Sequence, residues 1–177
     1  MFFKKLETFT VGTPDFELGK VAKKYGAFVD NEFQGIWYNE VVCDELEEFK
    51  FNLQKDLREH FEVFWLRANT LIPPHTDSGT KCVINFYVAT DDCITQFYTA
   101  KEGARKFQIE GQTDGCIYQV DDLEYGPAFL AEPGDTYLLD VTKIHSVIPA
   151  RDGIVHRGVV CLSSSTLSFE EAAEIFS

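Results

Sequence analysis

Apolar residues change their spacing once along this chain. Leu46, Phe49, Leu53, Leu57 and Phe61 recur at three- and four-residue steps, which puts them on one face of an amphipathic helix ending near His60. Asp44, with Glu47 three residues on, opens that helix as an acidic variant of a capping box. Upstream, Thr13-Pro14-Asp15 offers an N-cap hydroxyl, a proline at N1 and an acid in the first turn, so a short helix is predicted to about Lys24. From Phe61 the pattern becomes short β-branched or aromatic runs. They are Phe61–Arg67, Lys81–Ala89, Ile94–Ala100, Lys106–Glu110, Cys116–Val120, Thr136–Asp140, Ile144–Ala150 and His156–Ser163. Clusters such as Asp77-Ser78-Gly79, Pro133-Gly134-Asp135 and Arg151-Asp152-Gly153 separate most of them. Short strands without intervening helices predict an antiparallel sandwich or barrel. Ser168 and Glu171 then cap a last short helix.

The expected layout is mainly β with flanking helices. Residues 1–60 are a mainly helical support, 61–163 a jelly-roll core, and 164–177 a C-terminal helix. At 177 residues this is one domain, within the usual range of about 100–200 residues. Gly103–Gly126 reads as a β-hairpin-like insertion between core strands, with a turn at Gln112-Thr113-Asp114-Gly115. No apolar run approaches the roughly 18 residues of a membrane span. The segment Met1–Phe9 carries Lys4, Lys5 and Glu7 among its apolar residues, unlike a signal peptide or an anchor.

The net charge of −13 changes the choice of partner. A diffuse negative surface repels phosphate backbones and anionic membranes. It leaves a small molecule or a cationic peptide as the expected partner. The five cysteines, Cys43, Cys82, Cys93, Cys116 and Cys161, are odd in number and form no C-x-x-C pair. That suits buried thiols in a reduced cytoplasmic chain.

The candidate chemistry lies in four histidines, His60, His75, His145 and His156. His75-Thr76-Asp77 sets an imidazole and a carboxylate at i and i+2, which face the same side of an extended segment. A third ligand from a distant strand would complete one face of an octahedron, and His145 is the best candidate. Two histidines and one carboxylate on one face leave three positions open, the arrangement of non-haem Fe(II) oxygenases. Taken alone, H-x-D is a common chance pattern, and His75 alone reads as a loop histidine. Arg157, 12 residues past His145, offers a fork suited to the distal carboxylate of a keto acid; an ordinary surface ion pair is its plain alternative. His60 reads as a surface or capping residue and Cys82 as a packed thiol. Trp37, Tyr38, Trp65 and Tyr98 read mainly as core.

Ile72-Pro73-Pro74-His75-Thr76-Asp77, Asn85-Phe86-Tyr87, Ile94-Thr95-Gln96-Phe97, Pro133-Gly134-Asp135, His145-Ser146-Val147 and Arg157 together resemble the Fe(II)/2-oxoglutarate-dependent oxygenase superfamily. The similarity is to small prolyl-hydroxylase-like and aspartyl/asparaginyl-hydroxylase-like members, compact phage and bacterial ones among them. It spans residues 61 to 163. The resemblance implies a double-stranded β-helix core, with His75, Asp77 and His145 as iron ligands. It implies Arg157 as the partner of the 2-oxoglutarate C5 carboxylate, with Asn85 and Tyr87 as further hydrogen-bonding groups to the co-substrate. The implied cofactors are Fe(II), 2-oxoglutarate and dioxygen. The implied reaction couples decarboxylation of 2-oxoglutarate, to succinate and CO2, with hydroxylation of an unactivated C–H bond on a peptidyl residue or amino acid.

Two departures narrow this. Prolyl-hydroxylase relatives usually carry lysine at the Arg157 position, so a prolyl substrate is not implied. Arg157-Gly158-Val159 lacks the serine of plant-type relatives. Arg151 is a rival anchor, but it sits in a turn sequence. Asp77 fills the position a halide would need, which favours hydroxylation over halogenation. Two other readings remain open. One is a cupin-like metalloprotein that makes no use of 2-oxoglutarate and needs no Arg157. The other is a non-catalytic jelly-roll binding module, in which residues 75, 77 and 145 lie far apart.

Overall fold

The structure is a computed structural model, and it describes residues 1–7, 24–26, 37–39, 46, 48–68, 71–90, 93–108, 114–151 and 157–177. It is mainly β, built from two antiparallel sheets. The strands are β1 (Phe3–Lys5), β2 (Lys24–Gly26), β3 (Trp37–Asn39), β4 (Glu62–Ala68), β5 (Ile72–Thr76), β6 (Cys82–Thr90) and β7 (Cys93–Ala100). They continue with β8 (Lys106–Gln108), β9 (Cys116–Tyr118), β10 (Leu123–Leu130), β11 (Thr136–Leu139), β12 (His145–Pro149) and β13 (Arg157–Ser164). One sheet has the order β1-β11-β6-β13-β4-β3-β2 and the other β10-β7-β12-β5-β9-β8.

Strand alternation sorts the seven-stranded sheet into two apolar faces. Val83, Tyr87, Leu139, Val159 and Cys161 pack with Phe97 and Phe129 of the facing sheet. Their neighbours Ile84, Phe86, Leu138, Val160 and Leu162 turn the other way and pack with Trp65, Phe49, Leu53 and Leu57. Both faces are therefore covered, and β11 and most of β13 are buried residue after residue. At the C-terminus, α1 (Phe169–Ile175) seals the outer face with Phe169 and Ala172. Its expected cap is present: the Ser168 side chain accepts from the Glu171 N–H, and the Glu171 carboxylate accepts from the Ser168 N–H at 2.8 Å. Lys4 closes the other end, its Nζ donating to the Ala173 carbonyl at 2.9 Å.

The helix expected across Leu46–His60 takes another form. Leu46 is α-helical, but from Glu48 on the described residues form two 3-10 turns, Glu48–Asn52 and Arg58–His60. The Leu53 carbonyl, which an α-helix would offer to the Leu57 N–H, accepts the Arg58 Nε at 3.1 Å. The Leu57 N–H turns to the Gln54 carbonyl at 3.0 Å. The apolar face survives this, because Leu46, Phe49, Leu53, Leu57 and Phe61 are all buried in one cluster. Elsewhere in the first sixty residues the described segments β1, β2 and β3 are strands at the two ends of the seven-stranded sheet, not helical support. The Thr13–Lys24 helix start and the Asp44–Glu47 cap lie outside the described residues, apart from Lys24, which opens β2.

Within Gly103–Gly126 the described strands belong to the six-stranded sheet, while Gln112 and Thr113 of the expected turn lie outside the described residues. β8 pairs with β9, and β9 pairs with β5 through His75 and Ile117. Asp114 fastens this hairpin to the loop after β5, its Oδ1 accepting from Ser78 Oγ at 2.8 Å and from the Gly79 N–H at 2.7 Å. Gly79 sits at φ +68°, a conformation that favours glycine. Among the described residues no helix is long and apolar enough to cross a membrane.

Candidate metal centre

β5 and β12 run antiparallel with His75 directly opposite His145. Pro73 and Pro74 lack N–H donors, and the β5–β12 ladder shifts register between His145 and Val147. The locked φ of proline also fixes the Pro73 carbonyl. That carbonyl accepts from His75 Nδ1 at 2.8 Å. The Lys143 carbonyl does the same for His145 Nδ1 at 2.9 Å. Each imidazole thus donates Nδ1–H to the carbonyl two residues earlier, which turns the Nε2 atom of each toward Asp77.

Both Nε2 atoms converge on Asp77. His75 Nε2 lies 3.2 Å and His145 Nε2 3.7 Å from the same oxygen, Asp77 Oδ1. The three donor atoms all fall within 4.8 Å of one another. A small divalent ion with bonds of about 2.1 Å at right angles sets its donors about 3 Å apart, so the group suits one ion. Both histidines are 7% exposed. Burial alone would depress the His75 pKa, but the hydrogen bond and charge of Asp77 hold it above the ordinary histidine value. For His145, burial and the neighbouring His75 act together and push it down to about 4. Burial works against ionised Asp77, yet the hydrogen bond from His75 and the two imidazoles hold its carboxyl below the usual range.

A cavity opens from this group between the two sheets, with about 580 Å³ of empty space including its mouth. Its walls are mostly apolar, among them Phe64, Leu66, Ile72, Val147 and Val159. The polar side chains lining it, besides the triad, are Asn85, Thr95 and Arg157. Arg157 is 2% exposed. Its Nη1 donates to Thr95 Oγ1 at 2.9 Å and its Nη2 to the Cys93 carbonyl at 2.7 Å. The guanidinium also lies 5.1 Å from the centroid of the Tyr87 ring. Among the described residues, two buried polar atoms of side chains that line this cavity have no partner, Arg157 Nε and Asn85 Oδ1. Such atoms are rare in native interiors and point to a polar guest.

The sequence-selected residues are distributed as follows. His75, Asp77, His145, Asn85 and Arg157 line one cavity, while Tyr87 supports Arg157 from behind its wall. The separation of residues 75, 77 and 145 expected of a mere binding module is not found. Arg151 is exposed, unlike Arg157. His60 is a surface residue whose Nδ1 meets Thr166 Oγ1 at 2.9 Å. Cys82 packs in the outer core, away from the cavity, with its thiol against the Leu167 carbonyl. Trp65 and Tyr98 are core; His156 lies outside the described residues. Sequence reasoning gave no role to Thr95 or to the carbonyls of Pro73, Cys93 and Lys143. Backbone acceptors leave no mark on residue type, so only Thr95 could have been found, by its alternation with Phe97 on β7.

No protein-family model matches the chain, and no curated protein matches its sequence.

Proposed function

We propose that this chain is an Fe(II)/2-oxoglutarate-dependent oxygenase that hydroxylates an unactivated C–H bond of an amino acid or peptidyl residue. The observation that carries the reading is the convergence of His75 Nε2, His145 Nε2 and Asp77 Oδ1 in a cavity that also holds a buried, partly unpaired guanidinium. The donor set of two imidazoles and one carboxylate fits Fe(II) with open positions. The iron would supply dioxygen activation coupled to decarboxylation of 2-oxoglutarate.

The protein's own contributions follow from its residues. Pro73 and Lys143 carbonyls hold Nδ1 of each imidazole, so both Nε2 atoms face Asp77, and a metal would displace the proton that His75 shares with Asp77. Asp77 supplies the negative charge that offsets a dication. Thr95 and the Cys93 carbonyl hold the guanidinium still while Nε and the remaining Nη hydrogens stay open to a carboxylate. Asn85 offers a polar contact on the same face. The apolar walls exclude water, which strengthens each of these charge interactions.

We propose a double-stranded β-helix core along with this function. Eight strands, β4 to β7 and β10 to β13, share the two sheets in the orders β11-β6-β13-β4 and β10-β7-β12-β5. That alternation between sheets suits an eight-stranded jelly roll. The partner is proposed to be a small molecule or peptide and not a nucleic acid, given the net charge of −13. The same usage of free cysteines suits a cytoplasmic setting.

An anaerobic titration tests it. Fe(II) and then 2-oxoglutarate are added to metal-free protein while the visible charge-transfer band is followed. The band is expected in the native protein, weakened in Arg157→Ala and absent in His145→Ala. Metal binding without a band, whatever the 2-oxoglutarate concentration, would overturn the reading in favour of a cupin-like metalloprotein.

A further inference from the structure

Asp140 is a buried acid that the proposed chemistry leaves unused. It is 4% exposed and follows β11. Burying a carboxylate is costly unless it is well bonded. Here Oδ1 accepts from the Thr142 N–H at 3.2 Å and from Thr142 Oγ1 at 2.5 Å. Its own carbonyl accepts from the Lys143 N–H at 3.2 Å, and its N–H donates to the Phe2 carbonyl at 2.9 Å. The segment Asp140–Lys143 is thereby a closed turn held by one side chain.

Two carbonyls of that turn reach the triad. Val141 O accepts from the Asp77 N–H at 3.1 Å. Lys143 O accepts from His145 Nδ1 at 2.9 Å. Asp77 follows β5 and His145 opens β12, yet both are bonded by the same four-residue turn. We infer that Asp140 is a positioning residue: its Asx-type turn sets the register of the Asp77 backbone and the tautomer of His145 together. This rests on the reading of the triad as a metal centre.

The role depends on the Oδ1 acceptor, which asparagine also offers and alanine does not. The test compares native protein, Asp140→Asn and Asp140→Ala by two measurements. The first uses no metal: ¹⁵N–¹H NMR of the His145 ring in metal-free protein. Native protein and Asp140→Asn are expected to show one Nδ1-protonated tautomer with a protected proton, and Asp140→Ala a tautomer mixture. The second is the Mn(II) dissociation constant by electron paramagnetic resonance. It is expected to rise about 10–100-fold in Asp140→Ala and by less than about threefold in Asp140→Asn. An unchanged tautomer and unchanged Mn(II) affinity in folded Asp140→Ala would overturn the inference. So would an Asp140→Asn as impaired as Asp140→Ala. Should Asp140→Ala fail to fold, Thr142→Val removes one of the two bonds to Oδ1 and carries the same comparison. Native protein that binds no Mn(II) would sink the metal-centre reading alone; the tautomer comparison would still decide the role of Asp140.

Discussion

His75 and His145 face each other across a strand pair with ring centroids 4.3 Å apart. They are 70 positions apart in sequence, and only the sheet pairing makes them neighbours. Metal bound by this pair stabilises the fold, because the unfolded chain cannot hold the same donors together. Mn(II) at about 100 times its dissociation constant adds about 2.7 kcal/mol, which for a chain of this size raises Tm by about 5–10 °C. Thermal unfolding with and without Mn(II) is the check. His75→Ala and His145→Ala are expected to lose the shift, and a chelator to reverse it in native protein. A shift that survives both substitutions would place the ion elsewhere.

Under the proposed function, Arg157 would serve co-substrate recognition and not metal binding. Truncating one partner of a buried, hydrogen-bonded charge pair commonly costs 2–5 kcal/mol, of which the lower end is about a 30-fold change. Arg157→Met is therefore expected to raise the dissociation constant of 2-oxoglutarate at least about 30-fold while leaving Mn(II) affinity within about threefold. Arg157→Lys is expected to recover little, because an ammonium cannot bond Thr95, the Cys93 carbonyl and a carboxylate with one planar fork. Calorimetric titration of the Mn(II)-loaded protein measures both variants. Native-like 2-oxoglutarate binding in Arg157→Met would take Arg157 out of co-substrate recognition.

The core strands were legible because their apolar and β-branched runs are bounded by turn residues, as at Pro133-Gly134-Asp135, where Gly134 takes φ +94°. The short edge strands β1, β2 and β3 were not. Three residues carry no period, and they become strands only by pairing, β1 with β11, β3 with β4 and β2 with β3. β10 was hidden for another reason: it contains Gly126 and Pro127, and the ladder with β7 slips there, between Tyr125 and Ala128. The Leu46–His60 segment shows the limit of periodicity. Steps of three and four bury the same residues in an α-helix or in successive 3-10 turns, so burial alone does not tell the two apart. In the site, spacing drew attention to His75, Asp77, His145 and Arg157. The carbonyls that orient them could not be read from residue types.

Gly158 is a packing requirement on the face opposite Arg157. A Cβ there would lie 2.7 Å from Trp65 Cζ2 and 2.8 Å from Trp65 Cη2. Trp65 is 2% exposed and wedged in the outer core, so it has little room to yield. Gly158→Ala is expected to cost about 1–3 kcal/mol through overpacking. Trp65→Phe, which removes the clashing ring, is expected to make the same glycine change nearly neutral. Denaturant unfolding of the four proteins in the double-mutant cycle measures the coupling. Additive costs would mean that Trp65 moves aside freely.

Thiol reactivity reports whether the cavity is as closed as the strand pairing implies. Burial, with the Asp140 and Glu171 charges, pushes the Cys82 thiol up to about 12. Burial, with the Asp77 charge, raises that of Cys161 further still, although Cys161 lines the cavity. A raised thiol pKa means less thiolate at any given pH, and a pKa near 12 leaves about one part in ten thousand at pH 8. Cys116 is partly exposed on β9, within reach of a reagent in solution. Iodoacetamide at pH 8 is therefore expected to label Cys116 at least about 100-fold faster than Cys82 or Cys161 in folded protein, and all three alike in urea. Because the thiolate fraction grows tenfold per pH unit, labelling of Cys161 should climb from pH 8 to pH 10 while remaining behind Cys116. Peptide mass spectrometry follows each site separately. Comparable rates at Cys161 and Cys116 in the folded state would mean that the sheets part often enough to admit water, and the dry pocket required for the proposed chemistry would not exist.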